Sequence, residues 1–220
     1  MNKSYAVIIT GGGSSTRYAK GNKLLENLAG LPVFIHSVKK LSGFAEKANF
    51  ILTVSGKDRE LFEQELEKHS LSDAITVVTG GETRVQSVKN ALDAIVLRQG
   101  RVAIHDAARP LAEHQLLEQL FLDSRRNVIA AQKVVDSIKK CDDNGKITDE
   151  IDRTYLWRAE TPQVFDLEEF RCAMAKAPAD ATDDAMIMRH AGFDVYVVKE
   201  ENENLKLTTS SDLAKLEKFI

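Results

Sequence analysis

The sequence has few cysteines, no long apolar run and no excess of basic charge, and each shortage excludes a class of protein. Cys141 and Cys172 are its only cysteines, too isolated for a metal motif or a disulfide framework, so we expect a reducing compartment. The formal net charge of the 220 residues is −3, and the basic residues are dispersed, which argues against a nucleic-acid partner. No apolar run reaches the ~18 residues of a membrane helix. With only residues 1–4 before the first apolar run, we expect no signal peptide and predict a cytoplasmic protein that binds no membrane.

Two common phosphate-binding motifs are also absent. The first apolar run, Tyr5–Ile9, leads into the sequence Thr-Gly-Gly-Gly-Ser-Ser-Thr-Arg at 10–17. A dinucleotide-binding G-x-G-x-x-G would need a third glycine at Thr16, and no Gly-Lys-Ser/Thr of a P-loop occurs. The glycines still allow close backbone approach to a ligand, and Arg17 and Lys23 add two cations. A turn-rich loop without a ligand is the alternative, but its place after the first strand favours a phosphate site.

Strand and helix patterns alternate along the chain. We predict buried strands at the following short apolar runs: Tyr5–Ile9, Phe50–Val54, Ala74–Val78, Val102–Ile104 and Val128–Ala131. Between them, Asp58 can cap a helix that reaches about His69, and apolar residues from Val85 to Ile95 follow helical spacing. With 43% hydrophobic residues, the chain can bury a substantial core. The pattern predicts an α/β fold, with a mostly parallel, twisted sheet covered by helices on both faces.

The polar clusters follow predicted strands. The third strand is followed by Gly80–Ser87 and the fourth by His105–Pro110, just as the first is followed by the glycine loop. Ligands of parallel sheets bind at the carboxyl ends of strands, so these three loops predict one binding face. A turn or cap role is the alternative for Asp106, and we interpret His105 as structural because no partner histidines stand at metal-binding spacing.

The alternation stops between about residues 134 and 155. Asn144-Gly145, the strongest short hairpin signal, joins two polar strands there. This segment is either a solvated surface hairpin or an arm that packs against a second subunit, and its own residues leave both open. We predict a single domain over residues 1–220 with this β-arm inserted.

The last third of the chain returns to α/β patterning. A helix should follow Thr182-Asp183-Asp184, and Phe193–Val198 and Asn204–Thr208 are predicted as strands. Ser210 or Ser211 could cap a closing helix over Asp212–Phe219.

Five ordered blocks of the sequence match one family. They are Gly80–Arg84 with Ser87, His105–Pro110, Leu156–Gln163, Thr182–Ala185 and Asn204–Thr208. On these blocks the chain resembles, nearly end to end, the 2-C-methyl-D-erythritol 4-phosphate cytidylyltransferases of the non-mevalonate isoprenoid pathway. The resemblance implies a Rossmann-like nucleotidyltransferase fold and a homodimer joined through the β-arm. It also implies Mg²⁺-dependent transfer of a cytidylyl group from CTP to methylerythritol 4-phosphate, with release of pyrophosphate.

The resemblance implies roles for individual residues. The catalytic cations are Arg17, Lys23 and Lys206. The nucleotide-binding residues are Gly11, Gly12, Gly13, Gly81, Glu82, Arg84, Ser87, Asp106 and Ala107. The residues for methylerythritol phosphate are Arg109, Arg153, Thr161, Thr182 and Lys206, with Arg153 reaching the site of the other subunit. Asp106 is also the candidate metal ligand.

The first loop departs from the family pattern. Gly11 and Gly12 stand where two alanines are usual, and Ser15 stands where a glycine is usual. The backbone donors remain, but a more flexible loop costs more entropy to order, so we expect weaker binding of CTP.

Two alternatives remain at this point. A ribitol 5-phosphate cytidylyltransferase shares the glycine loop and the Thr-Pro-Gln turn, but its fourth-strand motif tends to read His-Asp-Ala-Val-Arg-Pro, and it usually lacks the Leu-Trp-Arg-Ala found at 156–159. A nucleotide-binding regulator without turnover is the second alternative. The number of cations, Arg17, Lys23 and Lys206, argues against it.

Overall fold

The computed structural model describes residues 5–12, 21–44 and 48–220. The predicted ligands Gly13 and Arg17 lie outside these ranges, as does the rest of the loop up to residue 20. Gly11, Gly12 and Lys23, on either side of that stretch, are described.

The described strands and helices follow one another along the whole chain. The strands are β1 Tyr5–Thr10, β2 Asn27–Leu28, β3 Leu31–Pro32, β4 Ala48–Val54, β5 Ile75–Thr79, β6 Arg101–Asp106, β7 Val128–Lys133, β8 Ile138–Cys141, β9 Ile147–Ile151, β10 Trp157–Asp166 and β11 Tyr196–Lys199. The helices are α1 Val33–Ser42, α2 Arg59–Lys68, α3 Arg84–Asp93, α4 His114–Leu122, α5 Leu167–Met174, α6 Asp184–His190 and α7 Ser210–Leu216. Short 3-10 turns lie at Lys23–Leu25, Gly56–Asp58 and Glu217–Phe219.

Seven strands form one sheet in the order β11-β7-β10-β6-β1-β4-β5. Four neighbouring pairs are parallel, and β10 alone among these seven strands runs antiparallel to its neighbours β6 and β7. The predicted α/β fold with a mostly parallel sheet is confirmed. The antiparallel strand β10 was not predicted.

Both faces of the sheet are covered, because the central strand β1 is buried on both sides. Val7 and Ile9 point into a cluster that contains Phe34 of α1. Ala6 and Ile8 point into a second cluster with α3 and α5. Alternate side chains of a strand face opposite ways, so one short apolar run supplies both cores. This arrangement leaves the carboxyl ends of the strands as the open edge where polar loops meet.

Some local predictions were wrong at helix ends. Asp58 stands at the start of α2, but its carboxylate accepts a hydrogen bond from Nδ2 of Asn22 at 2.9 Å rather than capping the helix. The closing helix α7 is capped by Thr209, which forms a reciprocal capping box with Asp212. Neither predicted serine, Ser210 or Ser211, occupies the cap position.

The predicted strand Asn204–Thr208 does not join the sheet. The segment is instead irregular and runs across the loop that follows β6, where the backbone N–H of Leu207 donates to the carbonyl of Ala108 at 2.8 Å. Its alternation of side chains resembles a strand because Leu207 is buried while Lys206 points to solvent and the site.

The arm, residues 134–155, contains the predicted hairpin of β8 and β9. Ile138 pairs with Ile151 in an antiparallel ladder, and every residue of the two strands is exposed. The arm leaves the sheet between β7 and β10, where the N–H of Val134 donates to the carbonyl of Leu156 at 3.1 Å. In the described ranges, no helix combines the length and the apolar character needed to cross a bilayer.

Candidate active site

A cavity of about 130 Å³ opens at the carboxyl ends of β1 and β6. It collects residues from the three predicted strand-end loops, from the turn at Lys23–Leu25 and from the segment that carries Lys206. Its lining residues are Thr10, Gly11, Gly12, Lys23, Leu24, Arg84, Ser87, Asp106, Ala108 and Lys206. Seven of these were predicted as site residues, whereas Thr10, Leu24 and Ala108 were not. The only indication in the sequence for these three residues was that they lie next to predicted site residues.

The first wall of the cavity is made of backbone from two loops. Gly11 donates its N–H to the carbonyl of Thr53 at 2.8 Å, which ties the first loop to β4. The N–H of Gly81 donates to Oγ of Ser87 at 3.0 Å, and this hydroxyl donates to the carbonyl of Thr83 at 2.9 Å. A Cβ atom at Gly81 would lie 2.1 Å from Cγ of Gln86, so the second loop requires glycine for close packing. The predicted residue Glu82 is exposed beside this turn.

Asp106 lies at the centre of three cations. Its Oδ2 accepts a hydrogen bond from Nζ of Lys206 at 2.6 Å, and its Oδ1 lies 3.7 Å from Nη2 of Arg84. Nε of Arg109 is 3.9 Å from Oδ2. Burial alone would raise the pKa of Asp106, but Lys206 and Arg84 hold it well below its usual range. Three basic side chains therefore converge on this one carboxylate beside the cavity.

Arg84 is anchored from below by Asp184, a residue that sequence reasoning did not single out for a role. Nη2 of Arg84 donates to Oδ2 of Asp184 at 2.6 Å, and the aspartate is fully buried. Burial disfavours the charged form of the Arg84 guanidinium, but the carboxylate of Asp184 raises its pKa. The pair fixes Arg84 where α3 begins, with its free side toward the cavity.

Lys23 enters the cavity from the 3-10 turn after the first loop. Asn22 caps this turn through Oδ1, which accepts the N–H of Leu24 at 3.1 Å. Nζ of Lys23 donates to the carbonyl of Leu207 at 2.7 Å. The lysine is therefore held against the segment that also carries Lys206, and two predicted catalytic cations share one edge of the cavity.

A hydrogen-bonded group behind Asp106 joins β6 to β10. The N–H of Asp106 donates to Oγ1 of Thr161 at 3.0 Å, and the same oxygen lies 3.2 Å from Nδ1 of His105. Nε2 of His105 lies 3.1 Å from the carbonyl of Arg109. Burial lowers the pKa of His105 to about 4. A neutral, enclosed imidazole fits the structural role given to it from the sequence.

Other predicted residues lie outside the cavity lining. Ala107 is buried directly after β6, and its carbonyl accepts the hydroxyl of Ser37 at 2.8 Å. Thr182 is exposed, with its hydroxyl toward Met186. Arg153 is exposed on the arm and donates to the carbonyl of Val135. Neither Thr182 nor Arg153 lines the cavity within this chain.

The described residues do not form a ready metal site. No group of three or more His, Cys, Asp and Glu side chains among them is placed to hold an ion. Both oxygens of Asp106 are already engaged by cations or by the hydroxyl of Thr10, which lies 3.3 Å from Oδ1. The contacts of Asp106 therefore favour orientation of Lys206 over metal binding.

Comparison with known proteins decides between the families. A sequence model of the 2-C-methyl-D-erythritol 4-phosphate cytidylyltransferase family matches residues 5–220. The chain belongs to this family. An enzyme of that name from Dictyoglomus thermophilum is 35% identical over 217 residues, which cover 96% of this chain and 94% of the relative. One from Bacillus pumilus is 34% identical over 95% of this chain and 93% of its own length.

Solved structures agree with the family assignment. The crystal structure of 4-diphosphocytidyl-2C-methyl-D-erythritol synthase from Anaerococcus prevotii superimposes with a TM-score of 0.83 at 27% identity. The match covers 99% of this chain and 98% of that one. The sheet order, the arm and the position of the cavity thus belong to a known fold, and family members align over almost their full length.

Proposed function

We propose that this protein transfers a cytidylyl group from CTP to 2-C-methyl-D-erythritol 4-phosphate, giving 4-diphosphocytidyl-2-C-methyl-D-erythritol and pyrophosphate. The observation that carries the proposal is the family match over residues 5–220 combined with a strand-end cavity lined by Lys23, Arg84 and Lys206. Three cations beside two glycine loops suit two reactants that are both phosphate anions.

The protein promotes this reaction by positioning the reactants and stabilising charge, and no covalent enzyme intermediate is required. A phosphate oxygen of the acceptor attacks the α-phosphorus of CTP, and pyrophosphate leaves from the opposite side. The attacking oxygen is already ionised at neutral pH, so no general base is required. Two anions must be brought together, and the charge that develops on the α-phosphate must be stabilised. Fixed cations serve both purposes. Lys23 performs this at the α-phosphate, with Arg17 on the triphosphate tail.

The nucleotide lies against the loops of β1 and β5. Backbone groups of Gly11, Gly12 and Gly81 read the edge of cytosine, with Glu82 and Ser87 at the entrance to that pocket. The family resemblance assigns Gly13 to the nucleotide as well. Asp106 and Ala107 lie at the ribose, and Arg84 closes this side.

The acceptor lies between β6 and β10. Lys206 stands where the two reactants meet, and its ion pair with Asp106 aims it there. Thr161 and Arg109 line the back of this half of the site, and Thr182 extends it outward. Arg153 lies on the arm of its own chain, so it serves the site of a second subunit.

The arm supports this homodimer. Val135, Ile138, Ile147, Ile151 and Tyr155 are exposed on it, and Tyr155 is 87% exposed. A two-stranded hairpin of this kind is marginal in water by itself, so packing of these apolar side chains against a second subunit would stabilise it. The remaining predictions, a single domain over residues 1–220 and a cytoplasmic location, belong to the same proposal.

Mg²⁺ enters with the nucleotide rather than as a resident ion. The carboxylate of Asp106 is occupied by Lys206, and Mg²⁺ in such enzymes is held largely by substrate phosphates and water. The side chains named above bind and orient the two reactants.

The deciding experiment is an assay of the purified protein with CTP and Mg²⁺ against two acceptors. We expect pyrophosphate release with methylerythritol 4-phosphate at a kcat/KM at least about 100-fold above that with ribitol 5-phosphate. Faster turnover of ribitol 5-phosphate would make the protein the related enzyme. Binding of CTP without turnover of either acceptor would support the regulatory alternative.

A further inference from the structure

One short segment brings together three of the cations in and beside the cavity. Residues 204–207, which we term the strap, cross the loop after β6. The strap supplies Lys206, its Leu207 carbonyl accepts from Lys23 at 2.7 Å, and its Asn204 carbonyl accepts from Nη1 of Arg109 at 2.6 Å. The strap is irregular in conformation, so its placement depends on side-chain anchors rather than on a sheet ladder.

Asn204 is the anchor at one end of the strap. Its side chain is buried, with only 2% of the residue exposed, and Nδ2 donates to the carbonyl of Thr161 at 2.8 Å. The bond joins positions 43 residues apart and fixes the strap to β10. A buried polar side chain that donates to a distant backbone carbonyl holds both segments in one geometry.

Arg109 depends on that geometry. Its side chain is 12% exposed, and the carbonyl of Asn204 accepts its shortest hydrogen bond among the described residues. The carboxylates of Asp106 and Glu160 lie farther away, at 3.9 Å and 4.0 Å. These two anions supply the countercharge, whereas the Asn204 carbonyl determines the direction in which the guanidinium points. Burial raises the pKa of Glu160, although the positive charges of Arg109 and Arg158 act to lower it.

We propose that Asn204 is a positioning residue for the acceptor: by fixing the strap to β10 it holds Arg109 in the orientation that binds the acceptor's phosphate. This inference rests on the proposed function. The proposed role concerns the acceptor half of the site, because the nucleotide loops of β1 and β5 make no contact with Asn204 among the described hydrogen bonds.

The test compares Asn204→Leu and Asn204→Ser with the control Asn202→Ser. Leucine keeps the volume of the side chain without the donor, and serine keeps a hydroxyl too short to reach Thr161. Asn202 is an exposed asparagine two positions earlier in the chain. We expect both Asn204 variants to raise KM for methylerythritol 4-phosphate about tenfold, the scale of one weakened charge-assisted hydrogen bond. KM for CTP should rise clearly less than KM for the acceptor, and Asn202→Ser should match the wild type.

A second measurement is independent of turnover. The arginine Nε–H signals of the folded protein are recorded by ¹H–¹⁵N NMR, with Arg109 assigned by the loss of its signal in Arg109→Lys. We expect the Arg109 signal to move or broaden in both Asn204 variants and to stay in place in Asn202→Ser. Circular dichroism and thermal unfolding establish that each variant is folded, and if one Asn204 variant does not fold, the other decides.

Failure of the inference and failure of the proposed function are distinguishable. An active wild type with an unchanged acceptor KM in a folded Asn204 variant would overturn the positioning role alone. Equal rises in both KM values would do so too, since they indicate general disruption. If the wild type turns over neither acceptor, the proposed function fails, and an unmoved Arg109 signal would then overturn the role of Asn204 as well.

Discussion

The carboxylate of Asp184 accepts a 2.6 Å hydrogen bond from Arg84, 100 positions earlier in the chain. The aspartate is fully buried, while the arginine reaches the cavity. A buried anion therefore holds one of the three cations that line the cavity, and the contact connects the floor of the site to α6.

Asp184→Asn should lower both stability and nucleotide affinity. Removal of one partner from a buried ion pair leaves the other uncompensated and costs about 3 kcal/mol of the free energy of unfolding. Because Arg84 would lose its orientation, KM for CTP should rise more than KM for the acceptor. Urea unfolding and steady-state kinetics measure both effects, with Asp180→Asn, at an exposed position, as the control. An unchanged midpoint of unfolding would show that the pair does not stabilise the fold.

Lys23→Ala should act on the chemical step. If Lys23 stabilises charge on the α-phosphate, kcat should fall by roughly 10²–10³, the usual scale for one transition-state donor. The exposed Lys176 provides a control, since Lys176→Ala should leave kcat unchanged. A normal kcat with only a raised KM would indicate uniform ground-state binding instead.

Arg153→Ala tests the shared site. In the proposed dimer, this arginine serves the acceptor of the other subunit, so its loss should raise KM for methylerythritol 4-phosphate far more than KM for CTP. Mixing Arg153→Ala with Lys23→Ala chains should partly restore activity, because some mixed dimers place both changes in one site and leave the other intact. Absence of recovery despite proven subunit exchange, or full activity of a monomer, would contradict a shared site.

The buried His105 should make stability depend on pH. Its pKa is about 4 in the folded protein and about 6.5 when unfolded, so the unfolded chain binds more protons between these values. The stabilising contribution is thus complete above pH 6.5 and is lost as pH falls toward 4, at up to about 1.4 kcal/mol per pH unit. Asp106, Arg109 and Lys206 face this imidazole.

The comparison of wild type with His105→Asn isolates this effect. The raised pKa of Glu160 acts in the opposite direction, because its stabilising contribution is lost as pH rises, but it is common to both proteins. Urea unfolding at pH 7, 6 and 5 should show a smaller loss of stability in His105→Asn. Parallel curves for the two proteins would mean that the imidazole titrates normally.

Replacing the first two loop glycines by the alanines usual in the family should have unequal effects. A Cβ atom at Gly11 would lie 2.8 Å from the carbonyl oxygen of Thr53, and this backbone atom of a central strand cannot move away without a cost in energy. At Gly12 the nearest atom is Oγ of Ser87, at 3.3 Å. Gly11→Ala should therefore lower the melting temperature, whereas Gly12→Ala should be tolerated. Equal melting temperatures for both variants would show that β1 shifts to accept the family sequence.

Apolar periodicity was sufficient to predict the central strands. Five predicted strands overlap β1, β4, β5, β6 and β7, because each carries a run rich in β-branched and apolar residues, and all but the edge strand β5 are largely buried. Strand β10 escaped prediction since its first residues after Trp157 are exposed or polar and it contains Pro162. Its place in the sheet depends on pairing with β6 and β7, which the local sequence does not encode.

The site was predictable where a motif follows a strand. Ser87 and Asp106 meet in one cavity although they follow different predicted strands, as the rule about strand ends implies. Lys206 lies in an irregular segment, and its role was expected from the family resemblance. Asp184 and Asn204 were matched only as members of family blocks. Their roles arise from buried contacts over 100 and 43 positions, and spacing along one chain cannot reveal such contacts.

The arm leaves the sheet and returns to it between two strands that are already neighbours. Because β7 and β10 pair with each other, the 22 positions of residues 134–155 could be replaced by a tight turn without cutting the sheet order. The arm and the strand-end cavity therefore occupy separable stretches of this chain. In the proposed dimer, the hairpin can vary in its contacts with the second subunit while the strand-end loops of its own chain stay in place.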